Sequence, residues 1–174
     1  MRPCLLLVFF ILNPTRSSKV PKKYFAKVIK GILSVDRYSG YKVFLKDGRI
    51  IHAFCWAHQR RDFINLANSY PELENWAFSW VQLINNLYHL NDMRVSNLNN
   101  SDAFKESDKK LREAVFDMEL RIKEELSKKK KNPECEAIMK SMKNHWAGLT
   151  VFIDYPEVPM DNNFAERLFR GPVV

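Results

Sequence analysis

Three apolar stripes at helical spacing constrain this chain more than any other feature. Trp76, Trp80, Leu83, Ile84, Leu87 and Leu90 recur every three or four residues, as one face of an amphipathic helix does. Leu111, Val115, Met118, Ile122 and Leu126 repeat the pattern on a charged segment that ends in Lys128 to Lys131. Ile138, Met142, Trp146 and Leu149 do so again after Pro133. Such stripes are made for helix–helix packing, and a chain that holds three of them must bury them against one another. The polar stretch SNLNNSD, residues 96 to 102, is the expected loop between two of these helices. The lysine run reads as a solvated helix end, where cations suit the dipole, and it is available to a phosphate backbone.

Before Cys55 the pattern is different. LLLVFFIL, residues 5 to 12, is a short apolar run closed by Asn13-Pro14. Arg2 in front of it imitates the start of a secretory signal, but eight apolar residues fall far short of the roughly 20 that span a bilayer. The following NPTRSSKVPKKYF holds no small-x-small cleavage pattern, so a buried parallel strand is the better reading. Val20 to Ile29 reads as a basic helix, with Lys22, Lys23, Lys27 and Lys30 in or beside it. GILSVD (31 to 36) is a second strand that ends on an aspartate, and RIIHAF (49 to 54) a third. Between them, residues 37 to 46 are ambiguous between helix and strand, and Asp47-Gly48 is a turn. Short apolar strands separated by helical segments predict an α/β sheet with parallel strands. The expected layout is an α/β unit over 1–54, a helical insertion over 55–155, and a return to the α/β unit over 156–174.

At 174 residues, 46% of them hydrophobic, the chain has material for one domain with a sizeable core, and wholesale disorder is excluded. Its net charge of +8 points to a polyanionic partner, with nucleic acid ahead of a membrane surface. Cys4, Cys55 and Cys135 are odd in number and widely spaced, which fits a reducing cytoplasm rather than a disulfide scaffold.

Two carboxylates stand out. Asp36 lies at the carboxyl end of a predicted strand, where open α/β sheets place their ligands. Glu166 follows Asn163 at the spacing of a capping box, a helix start with no further role, unless other acids join it. Clustered carboxylates repel unless cations bridge them, and hard oxygen ligands describe a Mg²⁺ or Mn²⁺ site suited to phosphodiester chemistry. Cys55-x-x-His58 offers zinc two ligands only, and Cys135 with His145 does not complete a zinc pattern. Arg60 and Arg61 follow it, and guanidinium groups suit phosphate contacts, although Cys55 and Trp56 also fit simple packing under a sheet.

GILSVDRYSGYK, then HAFCWAHQRRDF, then KNHWAGLTVFIDYPEVPMDNNFAERLFR resemble, in order and spacing, the transposases of the insertion sequence 66 family, and NPTRSSKVP matches the stretch that precedes them there. The resemblance runs over nearly the whole chain and is weakest across residues 69 to 140. It implies a ribonuclease-H-like catalytic domain of the DDE type, with a helical insertion before the last acid, that cuts and joins transposon DNA ends. It implies that Asp36 is the second catalytic aspartate and Glu166 the final glutamate, both holding Mg²⁺ or Mn²⁺. Cys55 and His58 then resemble the C-x-x-H signature that braces such sites, and Asn162 and Asn163 position the last helix. Arg60, Arg61, Arg167 and Arg170 become the expected DNA contacts. The same resemblance puts the first catalytic aspartate upstream of everything present, with LLLVFFIL as third strand, so the expectation is a partial domain inactive by itself. Arg37 stands where the family has a small residue, as does Phe169. The competing expectation is a nonenzymatic basic module that binds DNA or a full-length transposase copy, with no membrane partner.

Overall fold

A computed structural model describes residues 14–15, 17–25, 27–28, 30–37, 48–129 and 132–168. The strand expected at 5–12, all of the ambiguous segment 37–46 but Arg37, Asp47 of the expected turn, Lys130 and Lys131, and Phe169 and Arg170 lie outside these residues.

A short helix, α1 (Lys19–Phe25), leads to strand β1 (Gly31–Val35). It is shorter than the helix expected over 20–29. Val28 has left the helix, and its carbonyl accepts a hydrogen bond from Arg49 Nη1 (3.2 Å), which ties the approach to β1 to the start of the neighbouring strand. That strand, β2 (Ile50–Phe54), runs parallel to β1 in a register from Gly31 opposite Ile50 to Val35 opposite Phe54. Gly48 sits at φ +66°, the left-handed conformation that glycine adopts without a steric penalty, and turns the chain into β2. The predicted parallel α/β character is therefore present in two strands.

Most of the described chain is helical. Helix α2 (Trp56–Ser69) starts directly after β2, and a single 3₁₀ turn (Pro71–Leu73) bends the chain into α3 (Glu74–Ser96). Helix α4 (Ser101–Ser127) returns along α3, α5 (Pro133–Leu149) packs on α2, α4 and β2, and the one-turn α6 (Val151–Asp154) follows. Helix α7 (Asn163–Leu168) closes the description. The loop expected over 96–102 shrinks to Asn97–Asn100, because the Asn100 side chain accepts the Ala103 amide and starts α4 early. Asn132 caps α5 in the same way, taking the amides of Glu134 and Cys135, with Pro133 in the first turn where its missing N–H costs nothing. No described helix is long and apolar enough to cross a membrane.

The stripes meet as predicted. Trp80, Ile84, Leu87, Leu111, Met118, Ile122, Met142 and Leu149 are all buried in one cluster, which also takes Trp56, Phe63 and Leu66 from α2. Phe63 stacks on Trp80 with ring centroids 5.7 Å apart, and the Arg121 guanidinium lies over the same indole, 4.6 Å from the Trp80 centroid. Helix α5 approaches β2 through Gly148, where a Cβ would run into the Phe54 ring and the His52 carbonyl.

One polar cluster crosses this core. Arg94 is wholly buried and donates to Asp108 (2.9 Å), Asn91 Oδ1 (2.8 Å) and the carbonyls of Ile153 (3.0 Å) and Phe152 (2.7 Å). Those carbonyls belong to α6, whose single turn cannot satisfy its own C-terminal acceptors. Arg112 adds bonds to Asp108, Asp154 and the Ile153 carbonyl. Asp108 is pulled two ways. Burial pushes its carboxyl up, and the bonds from Arg112 and Arg94 outweigh burial and hold it below the ordinary aspartate value.

Candidate active site

The candidate site grows out of the ends of the two strands. Cys55 follows β2 directly, is 1% exposed, and donates its amide to the Val35 carbonyl (3.2 Å), extending the ladder by one rung. It occupies the N-cap position of α2 in an extended conformation. The amides of Asn162, His58 and Ala57 favour a negative charge on its sulfur, yet burial dominates and raises the thiol above its ordinary value, with the charge of Asp161 adding to the rise. Cys55 is thus held as the thiol at the start of the helix.

The C-x-x-H motif draws the C-terminal segment to this point. Trp56 donates its amide to the Met160 carbonyl (2.9 Å) and its indole N–H to the Leu149 carbonyl (2.7 Å). His58, two positions into α2, brings Nε2 to 3.7 Å from Glu166 Oε1, an ion pair whenever the imidazole is protonated. Both side chains keep solvent contact, 23% exposed for His58 and 41% for Glu166. Residues more than a hundred positions apart in sequence therefore meet beside the carboxyl ends of β1 and β2.

The start of α7 differs from the capping box expected at Asn163 and Glu166. The Glu166 amide donates to the Asn162 carbonyl (3.0 Å), so Asn162 holds the cap position and Asn163 is already inside the helix. The capping side chain is that of Asp161, whose Oδ1 accepts the Asn163 amide (3.0 Å). This one-residue shift frees Glu166 from reaching back to the cap, and it faces His58 instead. Asp161 Oδ2 accepts a hydrogen bond from the Tyr88 hydroxyl (3.0 Å). Burial raises the Tyr88 phenol far above its ordinary value, with Asp161's charge second, so Tyr88 stays a donor at any working pH. Asn162 Oδ1 is buried without a hydrogen-bond partner among the described residues.

Asp36 follows β1 and is half-buried. The next residue, Arg37, is anchored: Nη2 pairs with Asp62 Oδ2 at 2.6 Å, and Nη1 donates to Ser141 Oγ at 3.1 Å and Gln59 Oε1 at 3.4 Å. Arg60 and Arg61 lie along α2, beside a cleft of about 460 Å³ shared with Asn85, Tyr88, Asp161 and Asn163. Arg60 Nε donates to Asn85 Oδ1 (3.0 Å), which holds its guanidinium at the rim. Arg61 and Arg167 are exposed.

The structure thus brings Cys55, His58, Asn162 and Glu166 together, and sets Asn163 with Arg60 and Arg61 around the adjoining cleft. Asp161, Tyr88, Asp62 and Asn85 were not singled out in the sequence. Asp161 could have been, as the first of the D-N-N triplet, whereas Tyr88 and Asn85 gave no signal within a helix. Among the described residues no three His, Cys, Asp or Glu side chains converge as a metal cluster.

The family model described as "Transposase IS66 family" matches residues 5–174. An uncharacterized protein of Sinorhizobium fredii (strain NBRC 101917 / NGR234), y4jD, is 26% identical over 173 residues, covering 94% of this chain and 32% of the relative. The chain therefore spans about a third of the length of that curated relative. No solved structure matches it significantly. With nearly its whole length inside the family model, the chain belongs to the IS66 family of transposases.

Proposed function

We propose that this chain forms the later part of a DDE-type, ribonuclease-H-like catalytic core that cuts and joins transposon DNA ends. In this reading β1 and β2 belong to the catalytic sheet, residues 55–155 are a helical insertion, and α7 returns the last acid to the site. The observation that carries it is the contact of His58 Nε2 with Glu166 Oε1 at 3.7 Å, next to the Cys55–Val35 bond that marks the strand ends. A final glutamate must reach the strand-end aspartate across the whole insertion, and the C-x-x-H helix start supplies the means.

Asp36 and Glu166 would hold the Mg²⁺ or Mn²⁺ that, when bound, activates a water or hydroxyl and stabilises the leaving oxygen. His58 orients the Glu166 carboxylate. Cys55 and Asn162 fix the junction of α2 with the segment leading into α7, and Asn163 lies between this junction and the cleft. Arg60, Arg61, Arg167 and Arg170 contact DNA phosphates, where guanidinium forks suit the geometry. The partners are transposon DNA and other transposase copies, in the cytoplasm.

With Asp36 and Glu166 read as the second and last acids of a three-acid site, residues 1–174 assayed by themselves are expected to perform no strand transfer. Mg²⁺-dependent nicking that disappears in both Asp36→Asn and Glu166→Gln would overturn that expectation. A second reading, a nonenzymatic basic module that binds DNA or a transposase copy, draws on the net charge of +8. Salt-sensitive DNA binding unaffected by either acid substitution, together with no cation binding at Asp36 and Glu166, would establish it.

A further inference from the structure

Asp36 is bracketed by two fixed points, one residue to either side. On one side the Val35 carbonyl accepts the Cys55 amide at 3.2 Å. On the other, the Arg37 guanidinium meets four acceptors: Asp62 Oδ2 at 2.6 Å, Ser141 Oγ at 3.1 Å, Gln59 Oε1 at 3.4 Å and the His58 carbonyl at 3.5 Å. Three of these lie on α2, within one turn of His58, and the fourth lies on α5. Gln59 is wholly buried.

An arginine beside an acidic site in a basic protein invites the reading of a phosphate contact. The geometry argues against it. The Arg37 side chain is 20% exposed, its charge is matched by Asp62, and both terminal nitrogens are already engaged with protein acceptors. We propose instead that Arg37 is a positioning residue, clamping the end of β1 to α2 and α5 so that the Asp36 carboxylate is held at a fixed place relative to the helix that carries His58. This deepens the function proposed above and rests on the reading of Asp36 as a cation-holding acid.

The clamp is read by nitrogen-15 backbone relaxation on the chain itself, comparing the unaltered protein with Arg37→Ala, Arg37→Lys and Asp36→Asn. In the unaltered chain and in Asp36→Asn, the order parameter at residue 36 should equal that of rigid backbone, about 0.85. In Arg37→Ala it should fall below about 0.6, with α4 unchanged. Arg37→Lys should fall in between, because an ammonium keeps the charge but lacks the fork whose two terminal nitrogens reach α2 and α5. A role in general stability would instead loosen all elements together. Should Arg37→Ala fail to fold, Ser141→Ala and Asp62→Asn each remove one arm and should produce a smaller, equally local loss. Equal order at Asp36 with and without Arg37, a mobile Asp36 in the unaltered chain, or a loss spread over the whole molecule would each overturn the assignment. The readout is independent of chemistry: cation binding that ignores Asp36 would defeat the proposed function and leave the clamp standing.

Discussion

Replacing Arg94 with methionine tests how the helical layer is held together. Arg94 is 0% exposed and serves four acceptors on three elements. Their loss is unequal. Asp108 keeps its bond from Arg112 Nε (2.7 Å), and the Ile153 carbonyl keeps one from Arg112 Nη2 (3.0 Å). The Phe152 carbonyl and Asn91 Oδ1 lose the partner that Arg94 supplied. A buried acceptor left unsatisfied costs roughly 1–3 kcal/mol, and methionine refills much of the volume, so Arg94→Met should cost about 3 kcal/mol. That is the low end of the roughly 3–5 kcal/mol seen when a buried pair is broken, because Arg112 stays behind. For a chain of this length the cost lowers Tm by about 6–12 °C. Arg112 is 49% exposed, and its replacement by methionine should cost about 1 kcal/mol. The double substitution should exceed the sum, since Asp108 and the Ile153 carbonyl then lose both donors. Urea unfolding followed by circular dichroism measures all three. A cost below about 1 kcal/mol for Arg94→Met, or strict additivity in the double variant, would refute the reasoning.

Gly148→Ala should destabilise by about 1–3 kcal/mol despite alanine's better helix propensity, because the added Cβ would lie 2.8 Å from the His52 carbonyl, a backbone atom that cannot step aside; thermal unfolding decides, and a stabilised variant would show that α5 stands further from β2. His52 is 3% exposed with both ring nitrogens unpartnered among the described residues, and burial lowers its pKa from 6.5. Folding therefore favours the neutral ring, and the unfolded chain takes up the proton first, so stability present above pH 6.5 declines as pH falls through and below it. His52→Leu should flatten that decline, and an unchanged slope would remove His52 from it. The Asp108 carboxyl, held low against burial by Arg112 and Arg94, contributes stability that is present above the unfolded value near 3.8 and is lost as pH falls below it. That acid limb should be absent in Asp108→Asn by the same urea titrations. Replacing Arg60 and Arg61 together by glutamine should reduce the slope of log affinity for duplex DNA against log salt by about 1.8, roughly 0.9 for each phosphate no longer neutralised, and an unchanged slope would place DNA elsewhere.

The helical part of the fold was legible because period and burial agree. Trp80, Ile84, Leu87, Leu111, Met118, Ile122 and Met142 are wholly or almost wholly inside, where the stripes put them. The stripes gave no warning of Arg94, since a charged residue at a core position reads as an interruption until its carbonyl partners on α6 are seen. That GILSV and IIHAF are strands of a parallel sheet was legible from short apolar runs, whereas their pairing and its register, Gly31 opposite Ile50, were not. At the candidate site, the sequence offered residues to consider but not their mutual arrangement. The D-N-N-x-x-E spacing suggested a cap at Asn163, but the cap falls on Asp161 and Asn162, because Tyr88 on α3 holds Asp161 from a position no local pattern could indicate. Arg37 looked like a mere departure from its family, and only the approach of α2 and α5 turns it into a clamp.

The function proposed above puts Asp36 and Glu166 in one cation site at the strand ends. Mn²⁺ titrated into the nitrogen-15-labelled chain tests it directly, because the ion broadens the signals of the amides around it. Broadening should centre on Asp36, Arg37, His58 and Glu166, and be abolished by Asp36→Asn and by Glu166→Gln alike. Broadening that survives both substitutions, or that gathers at other acids such as Glu134 and Glu136 in the first turn of α5, would put the cation elsewhere.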